Sequence, residues 1–402
     1  MLELEAALKR ILSTIQPLDH EIVALADTAG RIAAEPVMSP VDLPAFDNSA
    51  MDGYAVRAAD LTNACADRPV ALRLTGKIAA GEVQSGKVDD GACARLFTGS
   101  PLPAGADAVV MQEDTRADGE HPDRIWFPCA VKPWENIRLQ GEDVKRGVKL
   151  VETGARISAG HVALLAAAGV RDVKVSRQPR VAVLATGSEL FENDGPLPPG
   201  KIYESNRVML ATLMKRAGAV PEIFPLVPDT PKATRSALEK ALTECDAVIT
   251  SGGVSVGEYD FVKTAFEELG GKIAFWKVAI RPGKPFVFGC AGTKLLFGLP
   301  GNPVSALVTF LLLTRPALAR MQGAAELELP KLPGRLVQPL ANPGDRRHFM
   351  RVAVDESGRV HPAGTQASHI LSSLAGANGL VDVPPATVVP AGASVSVLRW
   401  EW

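Results

Sequence analysis

Three carboxylates stand just past the ends of three short apolar runs: Glu189 after Val181–Ala185, Asp229 after Glu222–Val227, and Asp260 after Ala247–Thr250. If those runs are parallel strands of one sheet, the acids converge at the sheet edge where open α/β folds bind ligands. The loops around them are built of small residues. Thr186-Gly-Ser-Glu-Leu190 follows the first run, Ser251-Gly-Gly-Val-Ser-Val-Gly257 the third, and Pro300-Gly-Asn-Pro303 a fourth run at Lys294–Leu299. Gly252 and Gly253 let backbone N–H groups come close to a phosphate and adopt positive φ. A helix N-terminus behind them adds unpaired donors and partial positive charge. Ser251, Gly252, Gly253 and Ser255 are therefore expected to bind substrate, with Pro300, Gly301, Asn302 and Pro303 lining the same pocket. Phosphates beside converging carboxylates call for a bridging cation. Mg²⁺ suits such oxygen ligands, which makes Glu189, Asp229 and Asp260 the expected metal set. Simpler roles stand beside these: Asp229 and Asp260 can cap the helices that follow, and Asn302 can cap a helix whose first position suits Pro303.

A basic group, Lys277, Arg281 and Lys284, lies within Phe275–Pro285. Read as a strand, this run puts Lys277, Ala279 and Arg281 on one face. Arg281-Pro-Gly-Lys284 is then a turn presenting two cations. The structural alternative is an edge strand guarded by charge. Far upstream, Pro44–Tyr54 packs Asp47, Asn48, Ser49 and Asp52 beside Phe46, Met51 and Tyr54, as a turn-rich loop held in place would. Phe97-Thr-Gly-Ser-Pro-Leu-Pro103 offers hydroxyls and glycine suited to an oxyanion or phosphate, and Gly141-Glu-Asp143 adds two carboxylates.

The elements that must position these groups follow from periodicity. Leu4, Leu8, Ile11, Leu12 and Ile15 fall at helical spacing. Residues 43–136 carry short alternating runs and turns and read as a β-rich domain; its insertion into a mixed, discontinuous first domain of residues 1–42 and 137–176 rests partly on a family resemblance. In that first domain Ile157–Gly169 reads as a helix with Ser158 as its N-cap. Residues 177–325 alternate apolar strands with helices at Arg207–Ala217, Thr234–Leu242, Asp260–Leu269 and Val304–Leu318, which predicts a doubly wound α/β domain. In residues 326–402 the helices stop. Arg346–Val354 and Gly358–Pro362 flank a Glu356-Ser-Gly turn, a hairpin signal, and a small C-terminal β-barrel or sandwich is expected.

At 402 residues the chain exceeds one hydrophobic core, and two to four domains are expected, roughly, from length alone. With 43 Lys and Arg against 45 Asp and Glu, the net charge of −2 gives no global field for nucleic acid or an anionic membrane. The five cysteines are scattered and form no CxxC pair, which argues for reduced thiols and a cytoplasmic protein. The histidines form no close pair, so a histidine metal cage is not expected. The N-terminus lacks signal-peptide features, and the longest apolar stretch, Ala306–Leu313, is far short of a membrane span.

Taken together, Phe46–Ala55, Thr98-Gly, Gly141-Glu-Asp143, Ala185–Leu190, Thr250–Gly257, Arg281–Pro285 and Gly298–Pro303 closely resemble the molybdopterin molybdenumtransferases, whose relatives include the E domain of gephyrin. The likeness covers essentially the whole chain, in order. The Ser-Gly-Gly-Val-Ser-Val-Gly motif is the least specific, being shared with pterin adenylyltransferases and the damage-inducible amidase family. The resemblance implies a four-domain protomer in an elongated homodimer, with an active site between the α/β domain of one subunit and the N-terminal domains of the other. It implies functional roles for Asp52, Thr98, Asp143, Glu189, Asp229, Asp260, Lys277 and Arg281. The family often has Lys at the position of Arg281; Arg keeps the charge and can grip an oxyanion with two prongs.

The implied reaction loads molybdate onto an adenylylated pterin dithiolene and releases AMP. Phosphates would lie over Gly252-Gly253, Mg²⁺ would bridge them to the carboxylates, and Lys277 and Arg281 would hold molybdate or the dithiolene-side anion. The protein would act by positioning and electrostatics, since no Ser or Cys has a partnered His nearby in sequence. Contacts with the upstream pterin adenylyltransferase and downstream molybdoenzymes would fit such a role. The rival readings are a pterin adenylyltransferase, a non-catalytic scaffold like the gephyrin E domain, and a tungstate-handling version.

Overall fold

The computed structural model describes residues 1–82, 86–192, 195–253 and 261–400. Its central feature is a six-stranded sheet. Val220–Ile223, Arg180–Ala185, Ala247–Ser251 and Lys294–Leu299 lie side by side in that order, all parallel. Pro285–Ala291 and Lys272–Lys277 extend the sheet antiparallel. Val181 and Val183 face one core, with Leu210 and Met214 of the helix Asn206–Arg216 and Leu307 and Leu318 from the helix Pro303–Met321. Ala182 and Leu184 face the other, with Leu238 and Ala241 of the helix Pro231–Glu244 and Val262 and Phe266 of the helix Phe261–Glu268. Burial on both faces is why the strand reads as unbroken apolar sequence.

Two boundaries differ from expectation for local reasons. The second strand spans Val220–Ile223 instead of Glu222–Val227, because Pro225 has no N–H to continue a ladder. The next helix starts earlier than Thr234: Pro231 occupies its first turn, and Thr230 Oγ1 accepts from the Ala233 N–H at 3.2 Å. The helix Pro303–Met321 is long and apolar enough to cross a membrane by length and composition, but 89% of its apolar window is buried inside the protein, as a core helix should be. The helix Leu4–Thr14 adds Leu4, Ala7 and Ile11 to the same core.

Around this lie three β assemblies. His20–Ala24 pairs with Asp172–Ser176, Val37–Met38 with Lys149–Val151, and Asn48–Ser49 with Ile137–Arg138, so segments far apart in sequence are stitched together. In the same region the helix Ala159–Ala167 is capped as expected, with Ser158 accepting from the His161 N–H. Between these segments, Gly53–Val56, Val70–Ile78, Ala92–Leu96, Ala108–Met111, Arg116–Ala117 and Arg124–Phe127 form a second six-stranded sheet. At the C-terminal end, Arg347–Val354 pairs with both Arg359–Pro362 and Gly379–Val383. Lys331–Leu336 and Ser394–Arg399 complete a closed five-stranded barrel. All five cysteines are free thiols.

Candidate active site

The connection order reverses between Arg180–Ala185 and Ala247–Ser251, and beyond their carboxyl ends opens a cleft of about 850 Å³. Glu189, Asp229, Ser251, Gly252, Gly253 and the run Pro300-Gly-Asn-Pro303 all line it. Expected residues from four separate loops therefore meet in one place. Asp260 and Ser255 lie outside the described residues.

The floor requires glycine. Gly252 and Gly253 have φ of +89° and +65°, where side chains are strained. A Cβ on Gly252 would stand 2.7 Å from the Thr186 carbonyl oxygen, and one on Gly253 would stand 2.8 Å from Val262 Cγ2. Two loops of the wall are latched by Asp229. Its Oδ2 accepts from the Ser188 backbone N–H at 2.7 Å and from the Ser188 hydroxyl at 3.0 Å. The helix-capping role open to Asp229 falls instead to Thr230. Asp229 Oδ1 has no hydrogen bond among the described residues, and Glu189 is exposed without an ion pair among them. These hard oxygen donors on one cleft fit a cation that keeps several waters and shares phosphate oxygens. Among the described residues no group of three His, Cys, Asp or Glu side chains could hold a metal by itself.

Asn302 precedes the helix starting at Pro303 but makes no side-chain cap. Its amide donates across to Ser368 Oγ at 3.3 Å, in the C-terminal barrel domain, and the expected capping role is corrected accordingly. From that domain His369 and Leu371 reach the cleft wall, as do Thr186, Glu204 and Asn206 from the α/β domain. Thr186 belongs to the strand-end loop expected there, whereas sequence reasoning missed the other four. For His369 no local signal exists, since only domain docking brings it there. Glu204-Ser-Asn206 ahead of an apolar-patterned helix was a readable polar cluster. Arg207, behind the wall and buried, donates from Nε to Glu204 Oε2 at 2.9 Å and from Nη2 to Glu192 Oε1 at 2.7 Å. Burial opposes the charge of Arg207, and the two carboxylates outweigh it.

The basic group is arranged differently from expectation. Lys272–Lys277 is a strand of the central sheet, whereas Ile280–Arg281 leaves it and pairs with Arg347–His348 of the barrel. The alternation expected from Lys277 to Arg281 is therefore broken: Ala279 is buried, Lys277 half-buried and Arg281 exposed. Lys277 Nζ sits 3.9 Å from the Trp276 ring centroid. None of Lys277, Arg281 and Lys284 lines the cleft, and none forms an ion pair with a described carboxylate. The barrel side of this junction is also cationic. Burial, then Arg281, Arg351 and Arg346, push the His348 imidazole down to about 4.

The upstream motif forms its own centre. Thr98 donates its backbone N–H and its hydroxyl to Asp52 Oδ1, both at 2.8 Å. The backbone bond, then the hydroxyl bond, hold the Asp52 carboxyl below its ordinary range. The surrounding loop is held as expected: Gln140 N–H donates to Asp47 Oδ1 at 2.7 Å, the Ser49 hydroxyl donates to the Met51 carbonyl, and Asn48 and Ser49 are buried. Asp143 is exposed on a turn tied to Leu43 through its backbone N–H. Asp52, Thr98 and Asp143 do not line the cleft.

Three family models tile the chain: the MoeA N-terminal region (domain I and II) over residues 2–169, the "Probable molybdopterin binding domain" over 182–320, and the MoeA C-terminal region (domain IV) over 333–400. A molybdopterin molybdenumtransferase of Nostoc sp. is 40% identical over 95% of this chain and 89% of its own length. One from Haemophilus influenzae is 40% identical over 94% and 93%. The crystal structure of the molybdopterin biosynthesis moeA protein from Pyrococcus horikoshii superposes with a TM-score of 0.87 at 32% identity, covering 100% of both chains. By its domain order, its length and its similarity to these relatives, the chain belongs to the molybdopterin molybdenumtransferase family.

Proposed function

We propose that this chain is a transferase that inserts molybdenum into adenylylated molybdopterin and releases AMP. The observation that carries the reading is the cleft, lined together by glycine-built strand-end loops and the carboxylates Glu189 and Asp229, in a chain similar along its whole length to molybdopterin molybdenumtransferases. The two relatives compared above bear the name molybdopterin molybdenumtransferase, which favours this reading over the adenylyltransferase and scaffold ones.

The side-chain-free backbone of Gly252 and Gly253 lets the phosphates approach the strand end, with the Gly253 N–H as donor since that of Gly252 is bonded to the Leu299 carbonyl, and the Asp229–Ser188 latch holds two loops of the cleft wall in register. Lys277, Arg281 and Lys284 supply cations that no described carboxylate neutralises, suited to the dianion molybdate. Glu189, Asp229 and Asp260 would hold Mg²⁺, which neutralises phosphate charge when bound. The exposed Asp52–Thr98 pair does not line the cleft of its own chain, which supports a homodimer in which a second copy brings its pair to this cleft. The scattered free cysteines support a cytoplasmic enzyme.

The test is AMP release from adenylylated molybdopterin with Mg²⁺, with and without molybdate. Molybdate-dependent release is expected. No release from a folded protein with authentic substrate would refute the reading, as would omission of Mg²⁺ without effect for the metal assignment. Size-exclusion chromatography with light scattering tests the dimer; a monomer would refute the shared site.

A further inference from the structure

Asn206 opens the helix Asn206–Arg216, lines the cleft and is 8% exposed. Its side-chain amide donates to Ser251 Oγ and to the Gly301 carbonyl oxygen, each at 2.7 Å. The carbonyl can only accept, which fixes the amide orientation and assigns Nδ2 unambiguously. One side chain thus joins the end of a central strand, the Pro300–Pro303 loop and the first turn of a helix. The arrangement leaves Asn206 Oδ1 buried with no hydrogen-bond partner among the described residues. An unpaired buried carbonyl is costly, and folds retain such groups chiefly where geometry serves function.

The consequence falls on Ser251, which is 3% exposed and also lines the cleft. A hydroxyl has one donor and two acceptor sites. Because Asn206 Nδ2–H takes an acceptor site of Ser251 Oγ, the Ser251 hydrogen stays free to donate. The Ser251 hydroxyl makes no other hydrogen bond among the described residues. It adjoins Gly252, whose N–H donates to the Leu299 carbonyl at 3.1 Å, and Gly253, and both glycines line the same cleft.

We infer that Asn206 is a positioning residue of the reaction, which acts through Ser251 by orienting its hydroxyl as a donor to the substrate's phosphates; this rests on the transferase reading above. Without Asn206 the hydroxyl rotates freely, and the Gly301 loop loses its tie to the strand. A purely structural clamp would lower stability without changing substrate affinity in the folded protein.

The experiment measures kcat and KM for adenylylated molybdopterin in molybdate-dependent AMP release. The full-length chain is compared with Asn206→Ala, Ser251→Ala and the double variant, with thermal unfolding of each. Each single variant should raise KM about tenfold, the scale of one hydrogen bond to a charged group, and leave kcat nearly unchanged. The double variant should lose no more than the worse single. A loss near hundredfold in the double variant, the product expected of independent sites, overturns the inference. So does a wild-type KM in Ser251→Ala. Should Asn206→Ala fail to fold, Asn206→Asp keeps the volume but accepts the Ser251 hydrogen instead of donating to Oγ. Its KM must also rise, and a wild-type KM there overturns the inference. Absence of AMP release by the unaltered chain overturns the transferase reading itself, whereas a competent wild type with unaffected variants overturns this inference alone.

Discussion

Alanine at Gly252 would put a methyl group 2.7 Å from the Thr186 carbonyl oxygen, on a residue whose φ is +89°. Two penalties add. An L-residue in the left-handed region costs roughly 1–2 kcal/mol. Forcing a methyl into a packed site costs about 1–3 kcal/mol more. Thr186 cannot easily retreat, because its N–H donates to the Ser251 carbonyl at 3.2 Å and it bridges to Val227. The expected total is about 3 kcal/mol, which for a domain of this size lowers the midpoint by roughly 2–4 °C per kcal/mol. Gly270 is the control: its φ is +84° and a Cβ there meets nothing within 4 Å, so Gly270→Ala carries the conformational penalty alone, about 1 kcal/mol. Urea unfolding of both variants isolates the steric part as their difference, about 2 kcal/mol. KM for the adenylylated substrate should rise in Gly252→Ala and not in Gly270→Ala. Equal destabilisation of the two variants would refute the claim that the cleft floor is closed to a side chain.

Three further outcomes are expected. His348 is pushed down to about 4 from 6.5, so its contribution to stability is full above pH 6.5 and disappears as pH falls towards 4; this amounts to about 3 kcal/mol. Stability of His348→Phe should fall less steeply across that window, and an unchanged slope would sink the assignment. Arg207→Met strands Glu204, whose side chain is 3% exposed, and should cost about 3–5 kcal/mol in urea unfolding. Adding Glu204→Gln should recover part of that loss, and no recovery would mean the ion pair is not its cause. Thr98→Val removes one of two bonds to Asp52 Oδ1 and keeps the backbone one, so the Asp52 carboxyl should titrate partway back towards its ordinary range. A carboxyl NMR titration that shows no upward movement would contradict it.

Much of the α/β domain was legible because its signals are local. A strand buried on both faces must be apolar throughout, as Val181–Leu184 is, and a helix stop such as Gly218 needs positive φ. The same locality located Ser251–Gly253, Glu189, Asp229 and Pro300–Pro303, since each lies at the strand's carboxyl end or in the loop that leaves it. Some misses were local, such as the strand end before Pro225 and the Thr230 cap, but at two places a contact from outside the local segment had replaced a local one. Asn302 bonds Ser368 instead of capping its helix, and Ile280–Arg281 leaves the central sheet to pair with Arg347–His348.

Order of elements, family membership and the chemistry of each loop are written in residue type and spacing, because backbone conformation and strand burial respond to neighbours along the chain. Which loops share a wall is not. His369 and Leu371 reach the cleft only because the C-terminal barrel docks on the α/β domain. Asn206 meets Ser251 and Gly301 across 45 and 95 residues, distances over which sequence carries no periodic signal. Asp52 and Thr98 meet because two strands of the inserted sheet, Gly53–Val56 and Ala92–Leu96, pair antiparallel and bring their flanking turns together. Hydrogen bonds of that kind depend on three-dimensional closure, and only the packed tertiary structure supplies it.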